Sequence, residues 1–319
     1  MVGAGAVAAR HVRTLLAMDG VEVAGVADPA LERARELASA AGAAAYPNHM
    51  ELLAAGRLDA VYICVPPFAH GAPELAAIEA GLPFFVEKPV AIDQATAAGI
   101  AAALAGRPLV TCTGYHWRWL DIFDRAAALL AERPARLVQC AWLDKVPPPP
   151  WWLRRDGSGG QVIEQTTHVL DTARGLAGEV TEVHAFGSRE PAAEIHDVSV
   201  ASLRFASGAV GTVASTCLLS RLHRAGVQVV ADGLSLELSE TELVAEADGR
   251  RSAWKAGADA RPRPDADFVA AVRGGPDRIR VPWPEAYRTH LVACAITRSA
   301  DEGRPLGLGP EGQDRGRHG

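Results

Sequence analysis

Gly3-Ala4-Gly5-Ala6-Val7-Ala8, followed by Val21-Glu22-Val23-Ala24-Gly25-Val26-Ala27-Asp28, is a glycine-rich turn, a helix and a short apolar strand that ends in an acid. This is the G-x-G-x-x-A dinucleotide fingerprint. Gly3 allows the tight turn, Gly5 lets a pyrophosphate approach the backbone, and the small Ala8 lets helix and strand pack closely. The helix is expected over residues 6–18, with its first amides, from Ala6 on, turned to the phosphates. Asp28 stands 20 residues after Ala8, the spacing of the carboxylate that binds the adenosine ribose hydroxyls. A carboxylate there repels a 2′-phosphate, which favours NAD over NADP. Arg33 and Arg35 lie close in sequence and keep NADP open.

Outward from this motif the pattern alternates. Helices are expected at 31–41, 50–55, 71–80 and 93–105, and strands at 44–46, 59–65, 83–86 and 109–114. Such alternation means a parallel, doubly wound α/β sheet, assigned to residues 1–113. Only Met1 and Val2 precede the fingerprint, where the fold needs its central first strand. An empty central slot strands ladder groups on both neighbours, so about five further strand residues are expected upstream of Met1 in the natural protein.

The chain has 319 residues, 49% hydrophobic and 22% charged, with a net charge of −6 and a pI near 5.9. This suits a globular protein of two domains. Without a basic stripe or zinc-finger spacing, nucleic acid is not an expected partner. No apolar run reaches the roughly 18 residues of a membrane span. Five scattered cysteines without a Cys-x-x-Cys pair argue for reduced thiols and a cytoplasmic setting.

Beyond Gly114 the periodicity becomes 2. Segments 136–143, 180–187, 198–205, 209–216, 227–231 and 235–238 predict about six antiparallel strands, an α+β domain over 114–303, with a disordered tail at 304–319. Two motifs carry chemistry. Glu87-Lys88-Pro89 closes the apolar strand Pro83-Phe84-Phe85-Val86 in a chain with three lysines, at 88, 145 and 255. At a strand's carboxyl end, where α/β sheets bind ligands, a compact ammonium is a specific donor; the alternative is a surface lysine. On the helix expected at 162–176, Glu164 and His168 are spaced i,i+4, and His168 and Asp171 i,i+3, so all three share one face. A histidine beside carboxylates suits general acid/base work. Two ligands at this spacing fall short of a metal site, and no metal is expected.

Taken together, Gly3-x-Gly5-x-x-Ala8, Pro66-Pro67-x-x-His70, Glu87-Lys88-Pro89 and Gly159-Gly160-Gln161-Val162-Ile163-Glu164-Gln165-Thr166-Thr167-His168-Val169-Leu170-Asp171 resemble the glucose–fructose oxidoreductase/inositol dehydrogenase (Gfo/Idh/MocA) family over nearly the whole chain. The resemblance implies a Rossmann domain joined to an open antiparallel sheet whose outer face makes homodimers or homotetramers. It implies hydride transfer between NAD(P) and a secondary alcohol of a sugar, cyclitol or related polyol. By it, Lys88 reaches substrate and nicotinamide ribose, His168 is the general acid/base, and Pro66, Pro67, His70 and Glu87 pass the cofactor. Glu164 stands where the family has aspartate, and orients His168 or relays protons. Tyr115, Arg118, Trp151, Trp152 and Asp171 are the candidate substrate contacts, although tryptophans after a proline run also serve as packing. Two other uses of the fold stay open: redox-assisted glycoside cleavage by tightly held NAD, and a non-catalytic sugar or dinucleotide sensor.

Overall fold

The computed structural model describes residues 1–309 and divides into two compact units, Met1–Gly114 with Arg261–Glu285, and Tyr115–Ala260 with the chain from Ala286 onward. In the first unit, α1 (Ala6–Leu16), β1 (Gly25–Ala27), α2 (Leu31–Ala41), β2 (Ala44–Tyr46), α3 (His49–Ala55), β3 (Val61–Ile63), α4 (Ala72–Glu79), β4 (Phe84–Val86), α5 (Gln94–Leu104) and β5 (Thr111–Thr113) alternate as expected. β1 pairs with β2, β3 with β4 and β4 with β5, all in parallel. Val2 fills the slot between the two groups, bridging in parallel to Ala27 and to Ile63. Its N–H donates to the Tyr62 carbonyl at 2.7 Å and its carbonyl accepts from Cys64 at 2.8 Å. β1, β3, β4 and β5 are buried throughout, the signature of a parallel sheet covered on both faces.

The second unit contains α6 (Asp121–Glu132), β6 (Leu137–Leu143), the short α7 (Arg155–Ser158) and a π-turn, Val162–Thr166, that runs into α8 (Thr167–Ala177). Strands β7 (Val180–Ser188), β8 (Val198–Phe205), β9 (Val210–Thr216), β10 (Arg224–Ala231), β11 (Leu234–Leu238), β12 (Glu242–Ala247) and β13 (Arg250–Lys255) follow. Helices α9 (Arg263–Val272) and α10 (Trp283–Glu302) and strand β14 (Leu306–Gly307) complete the chain described. One sheet of nine strands results, ordered β13-β12-β11-β10-β6-β9-β8-β7-β14. Its pairs are antiparallel except β6 with β9, which run parallel. β8 buries Ser199, Ala201, Leu203 and Phe205 and exposes the alternate residues, so one face carries the core.

Three differences from the sequence expectation have physical causes. The sheet gains β12, β13 and β14. β13 lies at the edge with almost every residue exposed, so it carries no alternating apolar signal. The expected tail begins too early: Leu306 is buried and pairs with Val183 of β7, while residues 310–319 lie outside the described chain. Finally, Arg261–Glu285, expected in the second domain, belongs to the first unit. Phe268 of α9 is fully buried and meets Tyr62 and Phe85 edge-on, at ring separations of 5.5 and 5.9 Å. Tyr62 and Phe85 themselves stack at 4.9 Å.

Truncating that ring tests the assignment of α9. Phe268→Ala is expected to destabilise the first unit by about 3–5 kcal/mol, read as an earlier urea transition by far-ultraviolet circular dichroism. A change below about 1 kcal/mol would count against this packing.

Candidate functional site

In the first unit the fingerprint builds an open cradle. Gly3 has φ +93°, and a Cβ there would sit 2.2 Å from the Cys64 carbonyl oxygen, so no other residue fits. Gly5 caps α1 without a side-chain acceptor, and no acid occupies the first turn. A Cβ at Gly5 would meet nothing within 4 Å, and Gly5, Ala6 and Val7 are exposed. The amides that begin α1 therefore face open space, which fits a pyrophosphate. Ala8 is wholly buried where the helix meets the sheet. The Asp28 carboxylate accepts the Ala4 N–H at 2.9 Å and the Ala30 N–H at 2.8 Å, so it is fastened to the fingerprint loop while each oxygen keeps acceptor capacity for ribose hydroxyls. Arg33 is exposed at the start of α2, and Arg35 is paired with Glu32.

The Pro66-Pro67 loop leaves β3 through a 3₁₀ turn, Pro67–Ala69. His70, expected beside the cofactor, is shut in the interior. Its Nδ1 lies 2.6 Å from Glu74 Oε1, while Glu74 Oε2 accepts the Gly71 N–H at 2.7 Å. The pair pins the loop to the start of α4.

Glu87 is likewise an internal residue, 8% exposed. Its Oε1 lies 2.9 Å from His11 Nε2 and 2.9 Å from the Arg10 guanidinium, and its Oε2 accepts the Lys88 backbone N–H at 3.2 Å. His11 Nδ1 reaches Asp265 Oδ1 at 2.6 Å. Burial alone would drive the imidazole down. The hydrogen bonds that His11 donates to Asp265 and Glu87, with the charge of both carboxylates, outweigh burial and raise it to about 9. Burial would push the Glu87 carboxyl up, but the His11 bond and the neighbouring cations lower it to about 2. Lys88 itself is half-buried and joined to Pro89 by a cis peptide bond. Sequence reasoning missed Arg10, His11 and Asp265. The one available signal was a histidine on the apolar stripe Ala8, His11, Val12, Leu15 of α1.

In the second unit, His168 opens α8 and is 9% exposed. Trp142 and Trp117 lie nearly parallel to its ring, at 5.6 Å and 19° and at 6.2 Å and 23°. Tyr115 and His116 meet it edge-on at 5.9 and 5.6 Å, and His116 Nε2 lies 3.0 Å from Glu240. This aromatic enclosure was not foreseen. Its signals were the run Tyr115-His116-Trp117-Arg118-Trp119 and the position of Trp142 on β6. Glu164 lies within the π-turn, which changes the phase assumed for an α-helix. Its Oε2 accepts the indole N–H of Trp152 at 2.8 Å.

Four of the expected substrate contacts are buried and have partners within the protein. Trp152 is fully buried against Ile195 and Cys217. The Tyr115 hydroxyl is bonded to Thr167 Oγ1 at 2.6 Å in the interior. Arg118 grips Asp171 with two bonds, at 2.7 and 3.1 Å. Asp171 also accepts from Thr289, whose oxygen accepts from Arg174. These buried charges need such partners, and the network ties α8 to α10 and to the turn His116–Trp119. Trp151 alone of the five stays half-exposed. Among the described residues, no group of three or more His, Cys, Asp or Glu is placed to hold a metal ion, no helix is long and apolar enough to cross a membrane, and no cysteine is in a disulfide.

The N-terminal residues 1–115 match the family described as an oxidoreductase family with an NAD-binding Rossmann fold, and residues 134–236 match the GFO/IDH/MocA C-terminal domain. The chain belongs to the Gfo/Idh/MocA family, and its first unit is the NAD-binding domain of that family. It is 30% identical over 322 residues to an inositol 2-dehydrogenase of Streptomyces avermitilis, covering 95% of this chain and 92% of that one. It is 29% identical over 227 residues to a myo-inositol 2-dehydrogenase of Thermotoga maritima, covering 67% and 66%, just under two thirds of that relative. The fold is shared with levoglucosan dehydrogenase in complex with NADH and L-sorbose, at a TM-score of 0.85, 20% identity and 97% coverage of both chains. The same holds for the WlbA dehydrogenase of Bordetella pertussis in complex with NADH and UDP-GlcNAcA, at 0.84, 21% and 97% of both.

The His11 cluster makes stability depend on pH. The His11 pKa rises on folding, so its contribution is complete below the unfolded value of 6.5 and is lost as pH climbs through about 9. The Glu87 pKa falls, so its contribution is complete above 4.5 and is lost as pH drops through about 2. Urea titrations should show the first unit losing up to about 3 kcal/mol between pH 7 and 10, at 1.36 kcal/mol per pKa unit. His11→Gln should start less stable at pH 7 and lack that step; an identical step in the variant would refute the assignment.

Proposed function

We propose that this protein is an NAD-dependent dehydrogenase acting on a secondary alcohol of a sugar, cyclitol or related polyol, and reversibly on the matching ketone. The observation that carries the reading is that an NAD-binding unit bearing Lys88 at the end of β4 is joined in one chain to a unit bearing His168 in its aromatic enclosure, in a family whose members include proteins named inositol 2-dehydrogenase.

When bound, NAD supplies the C4 acceptor for the hydride that leaves the carbinol carbon. His168 takes the hydroxyl proton as that carbon–hydrogen bond breaks, and returns it in the reductive direction. The Lys88 ammonium donates to the oxygen as negative charge develops on it. Asp28 accepts the adenosine ribose hydroxyls and disfavours a 2′-phosphate; the exposed Arg33 is the residue that would have to receive one. Glu164, fastened by Trp152, orients the turn that delivers His168. Trp151 is the remaining candidate for stacking on the substrate's C–H face. We place the protein in the cytoplasm, as a homodimer or homotetramer joined through the sheet's outer face. Phe186 and Val200 face each other there across β7 and β8 and are 62% and 47% exposed.

The test is reduction of NAD and NADP, followed by nicotinamide absorbance, across cyclitols including myo-inositol, anhydrosugars including levoglucosan, free sugars and sugar acids. Turnover with one class, preferring NAD, is expected. Lys88→Ala should lower kcat by about 10²–10³-fold, more than it weakens NADH binding, and His168→Ala should lower kcat by about 10²–10⁴-fold with NADH affinity nearly unchanged. Full turnover in either variant would refute its role. For assembly, light scattering should show the wild type as a dimer or tetramer and the double variant Phe186→Glu, Val200→Glu as a smaller species; a monomeric wild type would end that reading.

A further inference from the structure

Four charges, those of Arg10, His11, Glu87 and Asp265, meet inside the first unit. Glu87 and Asp265 are carboxylates, which only accept hydrogen bonds. His11 meets one with each ring nitrogen, at 2.9 and 2.6 Å. With both acids ionised, both nitrogens carry protons and the ring is an imidazolium. With Arg10 on Glu87, two cations balance two anions inside the unit. His11 and Asp265 are each 1% exposed and Glu87 8%, so removing any member leaves a buried charge uncompensated.

The set reaches the Lys88 backbone through the carboxylate at its centre. Glu87 Oε1 is held by His11 and Arg10, and Oε2 receives the Lys88 N–H. On its other side the carboxylate lies against Gly114, where a Cβ would come within 2.5 Å of it. The carboxylate therefore has little room to move, and the peptide that begins Lys88 is bonded to it. Pro89 further limits the residue before it.

We propose that His11, shared as an imidazolium between Glu87 and Asp265, is a positioning residue that fixes the Lys88 backbone for the reaction. The inference rests on the role given above to Lys88. Other groups around the cluster do not supply its charge. Tyr62 lies 5.4 Å from the His11 ring on β3, and Cys64 and Cys112 stand nearby at the ends of β3 and on β5; burial pushes all three up and keeps them neutral. Arg10 on the same helix, Glu87 after β4 and Asp265 on α9 are the charged groups bonded to one another around His11, and the Lys88 ammonium is a further cation near Glu87.

The experiment compares wild type, His11→Gln and Asp265→Asn. Gln can still donate a hydrogen bond but carries no charge. Asp265→Asn keeps the His11–Glu87 bond and serves if His11→Gln does not fold. Three quantities are read: deuterium exchange of the peptide spanning residues 84–91 without substrate, NADH affinity by fluorescence, and kcat and KM against pH with the best substrate of the panel. Exchange at 84–91 should accelerate roughly tenfold or more, with the rest of the sheet protected. Per NADH site, kcat should fall roughly tenfold or more as Lys88 loses its placement, with KM and NADH affinity changed by less than about threefold. Wild-type kcat should decline as pH passes about 9, and His11→Gln should lack that limb.

Unchanged exchange and kcat in both variants would overturn the proposal. So would exchange raised evenly through the first unit, which would mark His11 as general scaffold. If the wild type turns over nothing, or Lys88→Ala stays active, the dehydrogenase reading or the Lys88 role fails, and the exchange measurement alone still decides whether His11 holds the Lys88 backbone.

Discussion

Two protons on one imidazole hold the cofactor unit in register. His11 comes from the first helix, Glu87 from the end of β4 and Asp265 from a helix 254 residues away. No single partner would justify burying a charge here, because desolvation would exceed the gain from one pair. With Arg10 included the charges cancel and every oxygen named has a donor. The arrangement makes α1, β4 and α9 parts of one object. The helix whose first amides face open space and the strand end that carries Lys88 thus share an electrostatic anchor, and the aromatic cluster of Tyr62, Phe85 and Phe268 fills the space beside it.

The second unit uses the same logic with different residues. Asp171 is held by Arg118 and Thr289, and Thr289 in turn takes a bond from Arg174, which is paired with Glu179. These groups fasten α8 against its neighbours and so fix the residue at its start. His168 is then confined by ring faces rather than by its own flexibility. Two indoles whose own ring centres are 6.2 Å apart lie beside the imidazole, and an indole face favours a cation next to it. Asp171, Arg118 and Tyr115 are all bonded within this framework around His168.

Much of the first unit was legible because its signals are local. The fingerprint, the terminal acid of β1 and the strand–helix alternation each lie within a few tens of residues, and each element appears where the periodicity puts it. The second unit was legible as a sheet because inward-facing residues alternate along β6 to β11. Edge strands such as β13 escape that rule, since neither face is covered. What stayed hidden was partnership. Nothing in the surroundings of Asp265 distinguishes it from any acid in the first turn of a helix, and nothing near His11 announces two carboxylates. The π-turn was invisible for a related reason: spacing arguments assume 3.6 residues per turn, and Glu164 sits where that assumption fails. Trp152 reads as a sugar platform from its neighbours in sequence, yet its indole N–H is spent on Glu164 inside the core.

The first unit is made of two separated pieces of chain, and the second of its pieces carries α9. During synthesis, residues 1–114 leave the ribosome with the parallel strands, His11 and Glu87 already present. Asp265 and Phe268 follow only after all of β6 to β13 has been made. Until then the apolar faces of Tyr62 and Phe85 lack their cover and the imidazole has one carboxylate instead of two. Chain-end contacts of this length are slow to close because loop entropy must be overcome first. The cofactor-binding unit is the earlier of the two to begin folding and cannot finish before the sheet domain has been synthesised, so the NAD-binding half acquires its final stability only once the polypeptide that carries His168 exists.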